Sequence, residues 1–226
     1  MGVGIGYGML NWQLSHFRWE KDNATNSFER NAEKNAFGVS YDFIAGYKQF
    51  FNPYLGARYY AVFGAYHGAL KADGFSRVDM IDYGVNADFL ANVYANANLN
   101  FGLFFGLGIG GNTIVGKYVS DFKSDLSNKI AGDSRLCNNG CVNVKSKTTH
   151  FDFAINAGFR LNIGAHHGLE LAVRVPLLSN TIYSYGVSQI GAVSDTDTTM
   201  ELKYSTNLFN AIKPSHSIKL RYVYSF

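Results

Sequence analysis

Residues 151–163 read Phe151-Asp152-Phe153-Ala154-Ile155-Asn156-Ala157-Gly158-Phe159-Arg160-Leu161-Asn162-Ile163. Every odd position is apolar, and the even ones are small, polar or charged. A period of two sends successive side chains to opposite faces, so the stretch is a β-strand with one apolar and one polar face. The same character recurs along the chain. Leu99, Phe101, Leu103, Phe105, Leu107 and Ile109 oppose Asn100, Gly102, Phe104, Gly106, Gly108 and Gly110. Val3, Ile5, Tyr7 and Met9 alternate with Gly2, Gly4, Gly6 and Gly8. Further alternating segments run over 37–48, 57–66, 82–93, 169–177 and 218–226. That makes eight segments, most of them near the roughly 9–11 residues a tilted strand needs to cross a bilayer.

The spacing between segments alternates too. Tight turns are expected near Phe51-Asn52-Pro53, Asn96-Ala97-Asn98 and Gly164-Ala165-His166. Longer polar loops are expected over Arg18 to Lys34, Lys71 to Arg77, Gly116 to Thr149 and Tyr183 to His216. Short turns at one end and long loops at the other are the pattern of outer-membrane barrels. An even strand number puts both termini at the short-turn, periplasmic end. The expected fold is all-β: one domain, 1–226, an eight-stranded antiparallel transmembrane β-barrel of the bacterial outer membrane.

Composition agrees. The chain has 226 residues, 24 glycines, 18 phenylalanines, 15 tyrosines and only 3 prolines, which excludes collagen-like and coiled-coil readings. No apolar run approaches the ~20 residues of a membrane helix. A mean hydropathy of -0.07 fits strands whose two faces cancel. The net charge of +3 is spread along the chain, so no basic stripe exists to hold nucleic acid. No basic leader or cleavage signal precedes the first strand, so an exported protein would here be in its mature form with an added start Met.

Volume decides which face is outside. An eight-stranded ring encloses room for side chains or one small ligand. The aromatic and aliphatic face would overfill it, whereas the face of Gly, Asn, Asp and Arg fits. Outer-membrane lipid is therefore the expected partner of the apolar face. Tyr47, Phe50, Phe51, Tyr54, Tyr222, Tyr224 and Phe226 at one rim, and Trp12, Phe17, Trp19 and Phe37 at the other, are expected to form the interfacial girdles.

The inward face would carry Asp42, Lys48, Arg58, Asp82, Asp88, Asp152, Arg160, Glu170, Arg174, Lys219 and Arg221, six cations against five anions. Near-balance favours a salt-bridge plug; the alternative is a narrow, charge-lined path for ions or solutes. Cys137 and Cys141 flank Asn138-Asn139-Gly140 in the longest loop, and a disulfide there would shape the loop tip. Two thiolates without further ligands do not make a zinc site, and no metal or cofactor is expected. Ser194-Asp195-Thr196-Asp197 lacks the twelve-residue calcium pattern. His166-His167 falls in a turn, while His16, His67, His150 and His216 fall near the outer rim, where a base would still need an orienting carboxylate and a nucleophile. The chain is not expected to be an enzyme.

Gly46-Tyr47-Lys48-Gln49-Phe50-Phe51, followed by Gly56-Ala57-Arg58-Tyr59-Tyr60, resembles the Helicobacter outer-membrane protein family. The ending Leu220-Arg221-Tyr222-Val223-Tyr224-Ser225-Phe226 is similar to that family's C-terminal barrel region. The resemblance covers the strands and implies a surface location, in a family that includes adhesins and porin-like proteins. A terminal aromatic of this kind also resembles the signature that barrel-assembly machinery recognises. The expected function is a surface-exposed binding or anchor barrel, adhesin-like or structural, whose loops would meet a host-surface receptor. A small porin-like channel is the alternative, and a rim enzyme is less favoured.

Overall fold

In the computed structural model the backbone is described for residues 1–22, 24–72, 75–96, 98–116, 143–195 and 198–226, and the side chains for these except 14, 16–30, 70–76, 143–146 and 180–210. The strands are β1 (Gly2–Asp22), β2 (Ala24–Phe50), β3 (Leu55–Ala72), β4 (Phe75–Ala95), β5 (Leu99–Val115), β6 (Asn143–Ser146), β7 (Thr149–Ile163), β8 (His167–Pro176), β9 (Asn180–Asp195) and β10 (Thr198–Tyr224). All pairings are antiparallel, and β1 closes on β10 from Gly2↔Val223 to Lys21↔Lys203. The ring has eight strand positions. Two are interrupted: β8 and β9 both pair with β10, end to end, and β6 pairs with β9 above the start of β7. Closure leaves no unpaired edge inside the bilayer, which the absence of water there requires.

The membrane strands obey the alternation read from sequence. Along β5, Leu99, Phe101, Leu103, Phe105, Leu107 and Ile109 are outward and exposed, whereas Phe104 is buried. From Leu99 to Ile109 the strand advances about 33 Å, or about 25 Å at a tilt near 40°, the height of an outer-membrane apolar band. Above that band the outward face turns polar. Asn11 bonds Asn35 at 3.1 Å, Ser15 bonds Asn31 at 2.8 Å, and Thr113 meets Thr149 at 3.0 Å. Below it, Tyr47, Phe51, Tyr54 and Tyr94 are exposed beside the short turns, forming the periplasmic girdle. The N-terminal ammonium donates to the Tyr224 carbonyl at 2.8 Å, so the chain ends meet at that rim.

Three features depart from the sequence reading. First, much of the expected long loops is paired strand. Arg18 faces Phe28 in a β1–β2 hairpin reaching Asp22↔Ala24, and β9 pairs with the upper part of β10 from Ile212 to Thr198. The apolar alternation that marks a strand is weak in these stretches, while backbone pairing continues. Second, Trp12 and Phe50 are not girdle residues. Trp12 is 2% exposed and points into the lumen, and Phe50 packs against the buried Leu90, Phe104 and Ala172. Both lie at even positions, in step with the inward Gly8 and Lys48 of their strands, so the period of two overrides their interfacial chemistry. Third, two bulges change side-chain direction. Met9 pairs with His216 but Leu10 with Pro214, leaving Ser215 as the extra residue beside a proline that cannot donate to the ladder. Below the bulge the odd residues Lys219 and Arg221 face in; above it the even Ile212 and Pro214 do. A second shift between Asn92 and Tyr94 lets Val93 and Tyr94 both face the lipid.

Candidate functional site

The lumen is filled in layers. Arg58 lies over the rings of Tyr60 (4.7 Å) and Phe104 (4.9 Å). Its guanidinium donates to Asp88 Oδ2 at 2.6 Å and to Glu170 Oε1 at 2.5 Å. These groups come from β3, β4 and β8, so one arginine ties opposite walls together. Arg221 grips Asp42 through Nε and Nη2, at 3.1 Å to Oδ1 and 2.7 Å to Oδ2, and Lys219 adds a contact of 3.0 Å. Arg174 donates to Asp152 at 2.8 Å and to Asn86 at 3.0 Å, and Asn86 also accepts from Asn156 at 2.9 Å. Removing one partner of such a network leaves a buried charge without its counter-ion.

Toward the extracellular side the filling becomes apolar. Leu10, Trp12, Ala36, Tyr66, Val78, Met80, Ile114 and Ile212 are buried there. The Tyr66 hydroxyl donates to the Ala36 carbonyl at 2.9 Å, which satisfies its one polar atom. The charge-based reading of the lumen missed this stopper. Its signal was positional: each of these residues sits on the inward parity of its strand.

Glycines make the plug possible. At Gly4 an added Cβ would stand 2.5 Å from Asp42 Oδ1 and 2.7 Å from Arg221 Cγ. At Gly108 it would overlap the Asn86 side-chain oxygen and come within 2.9 Å of Arg174 Nη1. Gly108→Ala is therefore expected to destabilise the barrel by about 1–3 kcal/mol through overpacking. Urea unfolding from lipid vesicles reads this, and an unchanged midpoint would mean a lumen looser than these contacts require.

Nine of the eleven expected lumen charges are buried: Asp42, Arg58, Asp88, Asp152, Arg160, Glu170, Arg174, Lys219 and Arg221. Lys48 and Asp82 are half-buried. Lys48 donates to Ser225 Oγ at 3.2 Å, and Asp82 Oδ2 is buried without a hydrogen-bond partner. At the outer rim His67 Nδ1 lies 2.7 Å from Asp79 Oδ1, but the same oxygen accepts from Arg77 Nε at 2.7 Å. His216 instead meets Ser215 Oγ at 3.1 Å. His166 and His167 stand at the periplasmic turn, with Nδ1 atoms 2.8 Å from the Ser225 carbonyl and 2.7 Å from the Tyr222 hydroxyl. Cys137, Cys141 and the Ser194–Asp197 side chains lie outside the described residues, as do those of His16, Phe17 and Trp19.

A closed eight-stranded ring, an apolar outer band with aromatic rims and a polar interior define a small β-barrel of the bacterial outer membrane, seated in its lipid. The chain belongs to the Helicobacter outer membrane protein family, whose model matches residues 42–226. Among curated proteins none matches. Similar solved structures include OprG from Pseudomonas aeruginosa, at 12% identity and a TM-score of 0.37, covering 98% of this chain and 94% of that one. Neisserial surface protein A (NspA) is 12% identical with a TM-score of 0.34, covering 96% and 97%. Ail, the attachment invasion locus protein of Yersinia pestis, is 11% identical with a TM-score of 0.30, covering 92% and 98%.

Proposed function

We propose that this barrel is a non-catalytic, plugged anchor that presents its extracellular hairpins and loops to a binding partner. The filled lumen carries this reading. Three ionic groups centred on Arg58, Asp42 and Arg174 lie beneath the apolar stopper of Trp12, Tyr66, Ile114 and Ile212. An ion path needs sites that bind weakly enough to release, whereas these charges are held by fixed partners in a ring this narrow. The β1–β2 and β9–β10 hairpins rise above the membrane band and offer the surface on which a host receptor would dock. The C-terminal segment, with Tyr222, Tyr224 and Phe226, is the one the assembly machinery would engage.

Purified, refolded protein in a planar bilayer is expected to show no discrete conductance. Regular single-channel steps would overturn the plug and favour the channel reading. Trimming the β1–β2 hairpin above Asn11 and Asn35 is expected to abolish binding to host-cell surfaces while leaving the heat-modifiable folded band intact. Full binding by the trimmed barrel would remove the display role.

A further inference from the structure

The periplasmic mouth of the lumen is a cavity of about 470 Å³, lined in part by Lys48, Phe50, Asn92, Asn96, Arg160 and His166. It is open below and ends inward on Phe50, which packs against the buried Phe104 and Leu90. Its lining carries cations and no carboxylate. Among the lumen cations, Arg58, Arg174, Lys219 and Arg221 each have a carboxylate within 3.0 Å. Arg160 and Lys48 have no such ion pair among the described residues, and both line this cavity.

Arg160 is the telling residue. It is 2% exposed, yet its Nε has no hydrogen-bond partner. The guanidinium is held in place by Phe50, whose ring centre lies 4.7 Å away, and by Asn92, which accepts from Nη2 at 2.6 Å. Its cross-strand neighbour is Glu170, whose Oε1 is taken by Arg58 and whose Oε2 is buried without a hydrogen-bond partner. Lys48, reaching in from β2, donates one hydrogen bond, to Ser225. Two fixed cations thus face one small chamber from different strands, with Asn92 and Asn96 beside them.

We propose that this chamber binds a phosphate group. A guanidinium that lines the chamber with no carboxylate paired to it, beside a second cation, calls for an oxyanion. The donors approach from several walls, which suits the radially spread oxygens of a tetrahedral phosphate better than the two in-plane oxygens of a carboxylate. The chamber is within the range that holds small ligands. Its mouth lies at the level of the girdle residues, so the phosphate can come from a periplasmic solute or from the headgroup of an inner-leaflet phospholipid.

The test uses the whole refolded chain in octyl glucoside, a detergent without phosphate. Inorganic phosphate is titrated by calorimetry, and retention of phosphatidylglycerol is read by native mass spectrometry. Both are repeated with Lys48→Gln and Arg160→Gln, and with Lys213→Gln as a control exposed at the opposite end. The wild type is expected to bind. Each of the first two substitutions is expected to weaken binding about tenfold or more, as loss of a charge-assisted hydrogen bond does, with no effect of the control. Binding of inorganic phosphate assigns a solute; lipid retention without phosphate binding assigns a headgroup. If Arg160→Gln does not fold, Lys48→Gln decides, since Lys48 is half-buried at a wet mouth. Failure of both ligands to distinguish wild type from Lys48→Gln overturns the proposal.

Discussion

Asp42→Ala is expected to lower the folding stability of the barrel by about 3–5 kcal/mol, the cost of breaking a buried ion pair from one side. One carboxylate here serves two cations. Arg221 meets it at 2.7 Å and Lys219 at 3.0 Å, and the Asp42 side chain is fully enclosed. Alanine would leave both positive charges in a space with little water and, among the described residues, no second acid paired with them. Urea titration of wild type and variant in the same lipid vesicles gives the difference directly. A loss below about 1 kcal/mol is what a solvated ion pair would give. It would mean that water fills the lumen, and the plugged-anchor reading would fail with it. The measurement therefore probes function as well as stability.

Phe105→Arg should cost about 2–4 kcal/mol, the penalty for arginine facing lipid near the bilayer midplane. Phe105 is 57% exposed on β5, close to halfway between Leu99 and Ile109. Asn11→Arg, on the outward face of β1 above the apolar band, should be nearly neutral, because a charge there stays hydrated. The contrast between the two sites tests the outward orientation itself. In a soluble barrel that hid its apolar face, Phe105→Arg would be ruinous in detergent and in water alike. In a membrane barrel the penalty shrinks in a detergent micelle that can deform around the charge. Equal effects at Phe105 and Asn11 would contradict the position of the band.

Much of this architecture is legible in single stretches of sequence. The odd positions of 151–163 and 99–109 face outward as their alternation implies, with Phe159 and Phe105 both exposed. Nine of the inward charges were placed by the same parity. At two positions side-chain chemistry and strand period disagree, and period wins. Trp12 and Phe50 look like girdle aromatics by type, but their strand positions send them inward, Phe50 to hold Arg160 and Trp12 to seal the upper lumen. The extracellular hairpins carry only weak apolar alternation, so a period of two does not disclose them. The bulge at Ser215 reverses the inward parity within β10, from odd at Lys219 and Arg221 to even at Ile212 and Pro214, and it is fixed by pairing with β1.

What the amino-acid sequence determined alone is the eight-strand barrel and which of its faces meets lipid, because both follow from a period of two and from the volume a small ring can hold. Only the tertiary structure decided which charges meet. Asp42 and Arg221 are 179 residues apart, and Arg58 and Glu170 are 112 apart. Their pairing depends on ring closure, shear and the glycines that let side chains cross the lumen. For the same reason, a list of six cations and five anions could not reveal that Lys48 and Arg160 are left together at the periplasmic mouth.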